Sequence, residues 1–284
     1  MGRVNRAIDL LEKGLPVFTT GTKELTYANG KRMAQTWADY LTVDLEHATF
    51  DLAGLDAFMR GLVDGGPTPT GHRTPAVIVV VPATGASVEE VRANAWMFKQ
   101  VLARGVHGIL LAHAESPEAV RAFVEACRYP FHTAGVGRRG NGGQETAAAV
   151  WGVSVEEYLE RAEPWPLAPQ GEVLLGVKIE TRRALPQAEA IAQVPGLAFA
   201  EWGPGDMGMS FGYRDRHDPP YPPEMVEARN RVFAACRSAG LAFLEAATPE
   251  TVEEKIREGV RILACRSPET AERGREVGRS LMRG

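Results

Sequence analysis

The amino-acid sequence predicts an α/β fold, a (β/α)8 barrel formed by a single domain. Eight short apolar segments, several of them rich in β-branched residues, alternate along the chain with segments of helical periodicity. This alternation is typical of parallel strands joined by crossover helices. A chain of 284 residues, 44% of them hydrophobic, is long enough for one such barrel. We therefore predict that residues 1–284 form one domain.

Each predicted strand is a short apolar run, and most are followed by a helical pattern. The strands cover residues 16–20, 41–46, 76–81, 108–112, 173–179, 197–202, 242–245 and 260–264. The helices cover residues 6–13, 52–62, 88–103, 117–127, 249–258 and 268–282. Gly14 and Gly105 stand just after the first and third of these helices, where glycine commonly ends a helix.

One long segment, residues 129–171 between predicted strands 4 and 5, interrupts the alternation. It contains GVGRRGNGG, a helical pattern at 145–161 and a proline-rich exit. It is too long for a plain connector, so we interpret it as a lid near the pocket, with a disordered insert as the alternative. In a nucleotide-binding loop the glycines stand between the end of a strand and the start of a helix. The glycines of this segment lack that arrangement, which argues against such a loop. The proline cluster at 213–224 is interpreted as a stiff loop.

Composition excludes several classes of function. A net charge of −4 leaves no basic face for nucleic acid, so a small molecule is the expected partner. The three cysteines are far apart and show no CxxC spacing, so neither disulfides nor a thiolate zinc site is expected. No apolar run approaches the ~18 residues of a membrane span. We expect a cytoplasmic protein without a membrane partner.

Two carboxylates, Glu180 and Asp206, follow predicted strands 5 and 6. In a parallel barrel the carboxyl ends of the strands meet at one face, so these acids are expected to share a pocket. Two oxygen ligands suit a hard divalent cation that keeps positions open for water or substrate. Helix capping and surface salt bridges are the alternative roles of acids placed after strands.

Strand 2 ends in DLEHATFD, which places Asp44, Glu46 and His47 at the same face. A histidine beside a carboxylate is a plausible general base, because the carboxylate selects its tautomer and raises its basicity. The alternative is a histidine with a structural role only.

The chain resembles the HpcH/HpaI aldolases, metal-dependent aldolases that act beside a pyruvate unit. The likeness extends from NRAIDLLEKGLPVFTT through DLEHATFD, VIVVVPAT, GVHGILLAHAESPEAVRAFVEACRYP and GVKIETRRAL to EWGPGDMGMSFG. It implies that Glu180 and Asp206 ligate Mg²⁺, Mn²⁺ or Co²⁺, and that the amides of Gly205 and Asp206 hold the substrate carboxylate. It also implies that His47, oriented by Asp44, is the base, with Glu46 beside it in the motif and at the substrate.

The resemblance also implies an assembly. The family forms hexamers in which the last helix packs on a neighbour, so residues 267–284 are expected to dock on another subunit of a homo-oligomer.

Two departures from the family pattern concern charge. Val80 stands where the family has an arginine that stabilises the enolate, and Lys178 stands where it tends to have glutamine. Strand alternation points Lys178 the same way as Glu180, into the barrel. Lys178 is therefore expected either to form a structural ion pair with Glu180 or Asp206, or to act in catalysis as the missing cation.

Weaker candidates stand at other loops. His113, after strand 4, is expected to contact the substrate or, as the favoured alternative, to line the rim. Arg138 and Arg139 are candidates to close over an anionic substrate. One of Glu201 and Trp202 must face inward.

The function that these observations favour is a class II aldolase type of carbon–carbon lyase, acting on a 2-oxo acid through a metal-stabilised enolate. Because Val80 removes an expected cation, two alternatives stay open. One is another reaction on an oxo acid, either decarboxylation or hydrolysis. The other is a non-catalytic protein that binds 2-oxo acids.

Overall fold

A computed structural model describes residues 2–133, 135–215 and 218–282. Its strands are β1 (Val17–Thr22), β2 (Tyr40–Asp44), β3 (Ala76–Thr84), β4 (Gly108–Ala112), β5 (Pro164–Trp165), β6 (Val173–Lys178), β7 (Phe199–Glu201), β8 (Ala242–Ala246) and β9 (Ile262–Ala264). All are parallel to their neighbours, and eight of them close a ring in which β1 joins β9 and β4 joins β6. The two-residue β5 is added to the edge of β6. The predicted (β/α)8 barrel is confirmed.

The helices lie around this ring. They are α1 (Arg6–Glu12), α2 (Tyr27–Met33), α3 (Leu52–Gly65), α4 (Val88–Ala93), α5 (Ala95–Leu102), α6 (Pro117–Cys127), α7 (Gln144–Trp151), α8 (Val155–Arg161), α9 (Ala188–Ala192), α10 (Pro204–Phe211), α11 (Pro223–Ala239), α12 (Val252–Glu258) and α13 (Pro268–Leu281). Short 3-10 turns cover Pro130–His132 and Leu185–Gln187.

Local sequence explains where several helices begin and break. Ser116 and Ser267 cap α6 and α13 through their hydroxyls, each followed by a proline that suits the first helical position. The predicted helix 88–103 breaks at Asn94, and the predicted helix 145–161 breaks at Gly152, whose φ is +73°. The prolines at 213–224 also start a helix, α11, that was not predicted. Residues 216 and 217 of that loop lie outside the described residues.

Side chains along each strand point alternately into the barrel and outward. The first set fills the barrel interior, and the second set packs against the helices. Along β3, Ile78 and Val80 belong to the interior cluster, whereas Val79 packs with the outer core. Gly176 leaves the space that the Phe199 ring occupies, since a Cβ on Gly176 would lie 2.3 Å from the ring. The α1 residue Ile8 belongs to the same interior cluster, so this helix closes the end of the barrel where the strands begin.

The long segment 129–171 lies at that same end, so its interpretation as a lid over the pocket is wrong. The Trp151 indole donates to the carbonyl of Gly105, just before β4, at 2.9 Å. The N–H of Val173, at the start of β6, donates to the carbonyl of Glu163 at 3.1 Å. The physical reason is chain direction, because a segment that follows a helix and precedes a strand begins and ends where strands start.

The last helix, α13, lies on the barrel of its own chain. Gly274 permits this contact, since a Cβ there would lie 2.5 Å from the Phe18 ring, and Arg275 donates to Asp39 at 3.0 Å. Docking of residues 267–284 on another subunit stays a prediction, with residues 283 and 284 outside the described range. No helix within the described residues is both long enough and apolar enough to cross a membrane.

The close contact of Gly176 with Phe199 generates a stability prediction. Gly176→Ala is expected to lower the free energy of unfolding by about 1–3 kcal/mol, because the new methyl group overpacks the barrel interior. The measurement is urea denaturation followed by circular dichroism. Gly21→Ala in β1 is the matched control, because its Cβ would meet its nearest atom at 3.6 Å. Equal unfolding midpoints for the two variants would contradict the prediction.

Candidate functional site

A cluster of charged side chains lies where β2, β4, β6 and β7 end. These residues come from distant parts of the chain but share one face because all strands of the ring are parallel. They are Asp44, Glu46, His47, His113, Lys178, Glu180 and Glu201.

Lys178 lies at the centre of this cluster, 8% exposed. Its ammonium donates to Glu46 Oε2 at 2.7 Å and lies 4.0 Å from Glu180 Oε2, while its register neighbour on β7 is Glu201. Burial lowers the pKa of Lys178, but Glu180, Glu201 and Glu46 outweigh it and raise the pKa above its ordinary value. The ammonium therefore stays charged. The expected inward placement is found, with Glu46 as the nearest partner.

Glu180 is a buried carboxylate whose charge is only partly balanced. It is 1% exposed, and its Oε1 accepts the backbone N–H of His113 at 3.0 Å. Burial raises the pKa of Glu180 to about 8, with Lys178 opposing the shift and Glu201 adding to it. A nearby divalent cation would lower the pKa of such a buried acid and keep it ionised at neutral pH. The observation fits a divalent cation at this carboxylate.

The turn before α10 passes directly against Glu180. A Cβ on Gly203 would lie 2.0 Å from Glu180 Oε2, and the φ of Gly203 is +49°, so only glycine fits this position. The amides of Gly205 and Asp206 fall in the first turn of α10, where N–H groups have no acceptor within the helix. An anionic group of a ligand is favoured at such a helix start.

Asp206 and Glu201 belong to the same electrostatic neighbourhood. Burial raises the pKa of Glu201, Lys178 opposes it, and the charges of Glu46, Asp44 and Asp206 raise it further. Glu201 points into the barrel like Phe199 two residues before it, while Trp202 packs with the outer core. Of Glu201 and Trp202, Glu201 is thus the residue that faces inward. The sequence signal for this is its spacing of two residues from Phe199, which places both on the same face of the strand.

His47 is held by Asp44. One carboxylate oxygen of Asp44 lies 3.0 Å from His47 Nδ1, and the other accepts the backbone N–H groups of Glu46 and His47 at 3.0 Å each. Burial by itself would raise the pKa of Asp44. These hydrogen bonds and the charges of His47 and Lys178 outweigh burial, so the pKa of Asp44 is lowered. An ionised Asp44 holds the proton on Nδ1 and leaves Nε2 as the basic nitrogen.

Two groups of side chains within the described ranges bring three metal-binding atoms within 4.8 Å of one another. One contains Asp44, Glu46 and His47, and the other contains Glu46, His113 and Glu180. Asp206 belongs to neither group, so its role as a ligand stays a prediction. His113, which follows β4 and is partly exposed, faces two acids, Glu46 and Glu180. No local sequence pattern indicated this, because its position depends on a backbone turn between two strands.

The arginines of the long segment are not brought to this cluster. Arg138 pairs with Glu125, near the end of α6 that lies away from the site, at 3.3 Å. Arg139 is buried between tyrosines, with its guanidinium 4.5 Å from the Tyr129 ring centre and donating to the Tyr158 hydroxyl at 2.5 Å. Since both stand at the opposite end of the barrel, closure over a substrate at this site is not available to them.

The chain is similar in sequence and in structure to proteins of one known family. The HpcH/HpaI aldolase/citrate lyase family matches residues 18–265. The chain belongs to this family. A 2-keto-3-deoxy-L-rhamnonate aldolase from Klebsiella pneumoniae is 30% identical over 213 residues, covering 75% of this chain and 69% of that protein. A hydroxypyruvate/pyruvate aldolase from Sagittula stellata is 33% identical over 210 residues, covering 74% and 70%. A family protein of Burkholderia cenocepacia has a similar structure, with a TM-score of 0.73 at 23% identity and 98% of both chains covered.

The raised pKa of Glu180 generates a prediction for the metal-free protein. Between pH 5 and pH 8 the folded carboxyl, with a pKa of about 8, binds more protons than the unfolded one at its ordinary 4.5. Stability contributed by this group is therefore complete below the unfolded pKa and is lost as pH rises, by about 1.4 kcal/mol per unit at most. Glu180→Gln removes this loss.

The measurement is urea unfolding of both proteins in chelator across this pH range. The free energy of unfolding of Glu180→Gln, minus that of the unchanged protein, is expected to increase with pH. The subtraction cancels titrating groups that do not interact with Glu180, and a difference that is constant from pH 5 to pH 8 would refute the prediction.

Proposed function

We propose that this protein is a divalent-metal-dependent carbon–carbon lyase that cleaves or forms a bond beside the 2-oxo group of an oxo acid. Family membership and two relatives named as aldolases support the lyase class. The main observation that supports a metal here is Glu180, a buried acid whose charge Lys178 only partly balances. The His47–Asp44 pair and the start of α10 belong to the same face of the barrel.

Glu180 and Asp206 are the proposed ligands of Mg²⁺, Mn²⁺ or Co²⁺. A cation held there would supply a Lewis acid to polarise the carbonyl of a 2-oxo acid. The free amides of Gly205 and Asp206, in the first turn of α10, bind the carboxylate of the substrate. Together, these two contacts would fix the orientation of an oxo acid in the site.

His47 carries the proton transfer. Asp44 keeps Nδ1 protonated, so Nε2 accepts the proton from the hydroxyl of a 4-hydroxy-2-oxo acid. The bond between carbons 3 and 4 then breaks, the hydroxyl carbon leaves as an aldehyde, and the electron pair becomes the enolate of the 2-oxo acid. Return of a proton to carbon 3 completes cleavage, and the reverse sequence forms the bond.

Lys178 supplies positive charge that Val80 does not. Val80 is uncharged and belongs to the barrel interior, whereas the Lys178 ammonium lies at the barrel mouth next to Glu46 and Glu180. A fixed cation there stabilises the negative charge that develops on the substrate oxygens. Its raised pKa opposes attack on the carbonyl as a free amine, so imine formation is not the proposed chemistry.

A second candidate follows from Val80. A site without the guanidinium expected from the family pattern is the basis for another reaction on an oxo acid, either decarboxylation or hydrolysis. The experiment compares three outcomes with Mg²⁺, Mn²⁺ and Co²⁺. Cleavage of 4-hydroxy-2-oxo acids to pyruvate supports the lyase, turnover of oxaloacetate alone supports decarboxylation, and binding of pyruvate without turnover of either supports a non-catalytic binding protein.

Lys178→Met tests the electrostatic role. We expect kcat at saturating metal to fall by roughly 10²-fold or more, because donors of this kind contribute about 2.7–4 kcal/mol. Steady-state kinetics and circular dichroism are the measurements, with exposed Lys13→Met as the matched control. If Lys178 only balances the acids, metal affinity or stability will change while kcat stays nearly constant.

Val80→Arg tests whether restoring a cation on β3 increases aldol activity. We expect the arginine to increase aldol cleavage of 4-hydroxy-2-oxo acids in a folded variant, because it returns positive charge to the interior face of β3. Kinetics with each metal provide the measurement. A well-folded Val80→Arg protein with no gain would favour the second candidate over the lyase.

A further inference from the structure

His113 has an unusual backbone conformation. Among the residues that the structure describes, it is the one non-glycine with a positive φ, at 45°. Such conformations cost free energy and persist where the surroundings impose them, often at functional sites. Here the surroundings are two strand ends. Ala114 donates to the Lys178 carbonyl at 2.8 Å, and Glu115 donates to the Gly85 carbonyl at 3.0 Å.

This turn directs the imidazole toward two carboxylates. Nε2 lies 3.7 Å from Glu46 Oε1, and Nδ1 lies 4.0 Å from Glu180 Oε1. Neither separation is a hydrogen bond, since these require about 3.2 Å or less. Donor atoms that bind one metal ion at about 2.1 Å from it can lie up to about 4.2 Å apart. An imidazole binds a given ion through one nitrogen only, and one ligand atom from each of Glu46, His113 and Glu180 lies within 4.8 Å of the other two. This spacing suits an ion shared by the three side chains better than direct contact between them.

We propose that His113 is a nitrogen ligand of the cation held by Glu180, with Glu46 as a further oxygen donor. The proposal rests on the metal site of the proposed function and extends it to metal selectivity. Imidazole binds Co²⁺ and Zn²⁺ well, whereas Mg²⁺ prefers oxygen ligands and a hydrated shell. A site with His113 as a ligand thus selects Co²⁺ or Zn²⁺ over Mg²⁺.

Glu46 is prepared for this role by Lys178. Its Oε2 accepts the Lys178 ammonium at 2.7 Å, which leaves Oε1 directed to His113. A carboxylate fixed by one hydrogen bond presents its other oxygen in a defined direction, as the outer partners of metal ligands commonly do. Lys178 is a positioning residue in this arrangement.

The test uses the full chain, stripped of metal by chelator, and calorimetric titration with Mg²⁺, Co²⁺ and Zn²⁺. Two variants remove the imidazole, His113→Gly, which suits the positive φ, and His113→Asn, which tolerates it. We expect both to weaken Co²⁺ and Zn²⁺ binding by about tenfold or more and Mg²⁺ binding by much less. The visible absorption of bound Co²⁺ should also change. His132→Asn, which removes an exposed histidine remote from the cluster, is the matched control.

Glu180→Gln separates the two claims. If it leaves binding of all three metals unchanged, the metal site of the proposed function is wrong. If it abolishes binding while both His113 variants keep the Co²⁺ to Mg²⁺ affinity ratio and the Co²⁺ spectrum of the unchanged protein, the metal site stands and the role of His113 is overturned. Circular dichroism confirms that each variant is folded.

Discussion

The buried ammonium of Lys178 is the interaction on which the site depends. Glu46, Glu180 and Glu201 come from three different strand ends and face it at the barrel mouth. Without a cation between them, these acids would repel one another in a partly closed space, and burial would force some of them to stay protonated. Lys178 thus links the ends of β2, β6 and β7 by electrostatic attraction, at positions beyond the last hydrogen bonds between these strands.

One ammonium does not balance three acids, so burial raises the pKa of Glu180 to about 8 despite Lys178. In the proposed function a divalent cation would complete the balance and attract an anionic oxo acid. The start of α10 adds unpaired amides without adding a side chain. Val80 leaves the interior face of β3 without charge, and the nearest cation at the barrel mouth is Lys178 on β6; in the proposed function this ammonium and a metal would share the stabilisation of the enolate.

Backbone shape matters as much as charge. Gly203 allows the turn into α10 to approach Glu180 within a distance that no side chain permits, and the turn at His113 brings its N–H to the same carboxylate. Glu180 is therefore held from two sides by main chain. At the other end of the barrel, Arg139 is buried between aromatic rings and stabilises a segment that does not reach the site.

Sequence alone determined the fold and the face on which the site lies. Strand period and helix period are local properties, so the eight strands, the inward direction of Lys178 and the acids after β6 and β7 could be read from the order of residues. The Asp44 and His47 pair could also be read, because it spans one short turn.

Only the tertiary structure decided which of these side chains meet. Contacts between Lys178 and Glu46, or between His113 and Glu180, join residues 132 and 67 positions apart and depend on the register of separate strands. The same is true of Arg138 and the long segment, whose composition suited a lid but whose place in the chain, after a helix and before a strand, put it at the far end. Local periodicity determines the direction in which a side chain points, whereas closure of the barrel determines which side chain it meets.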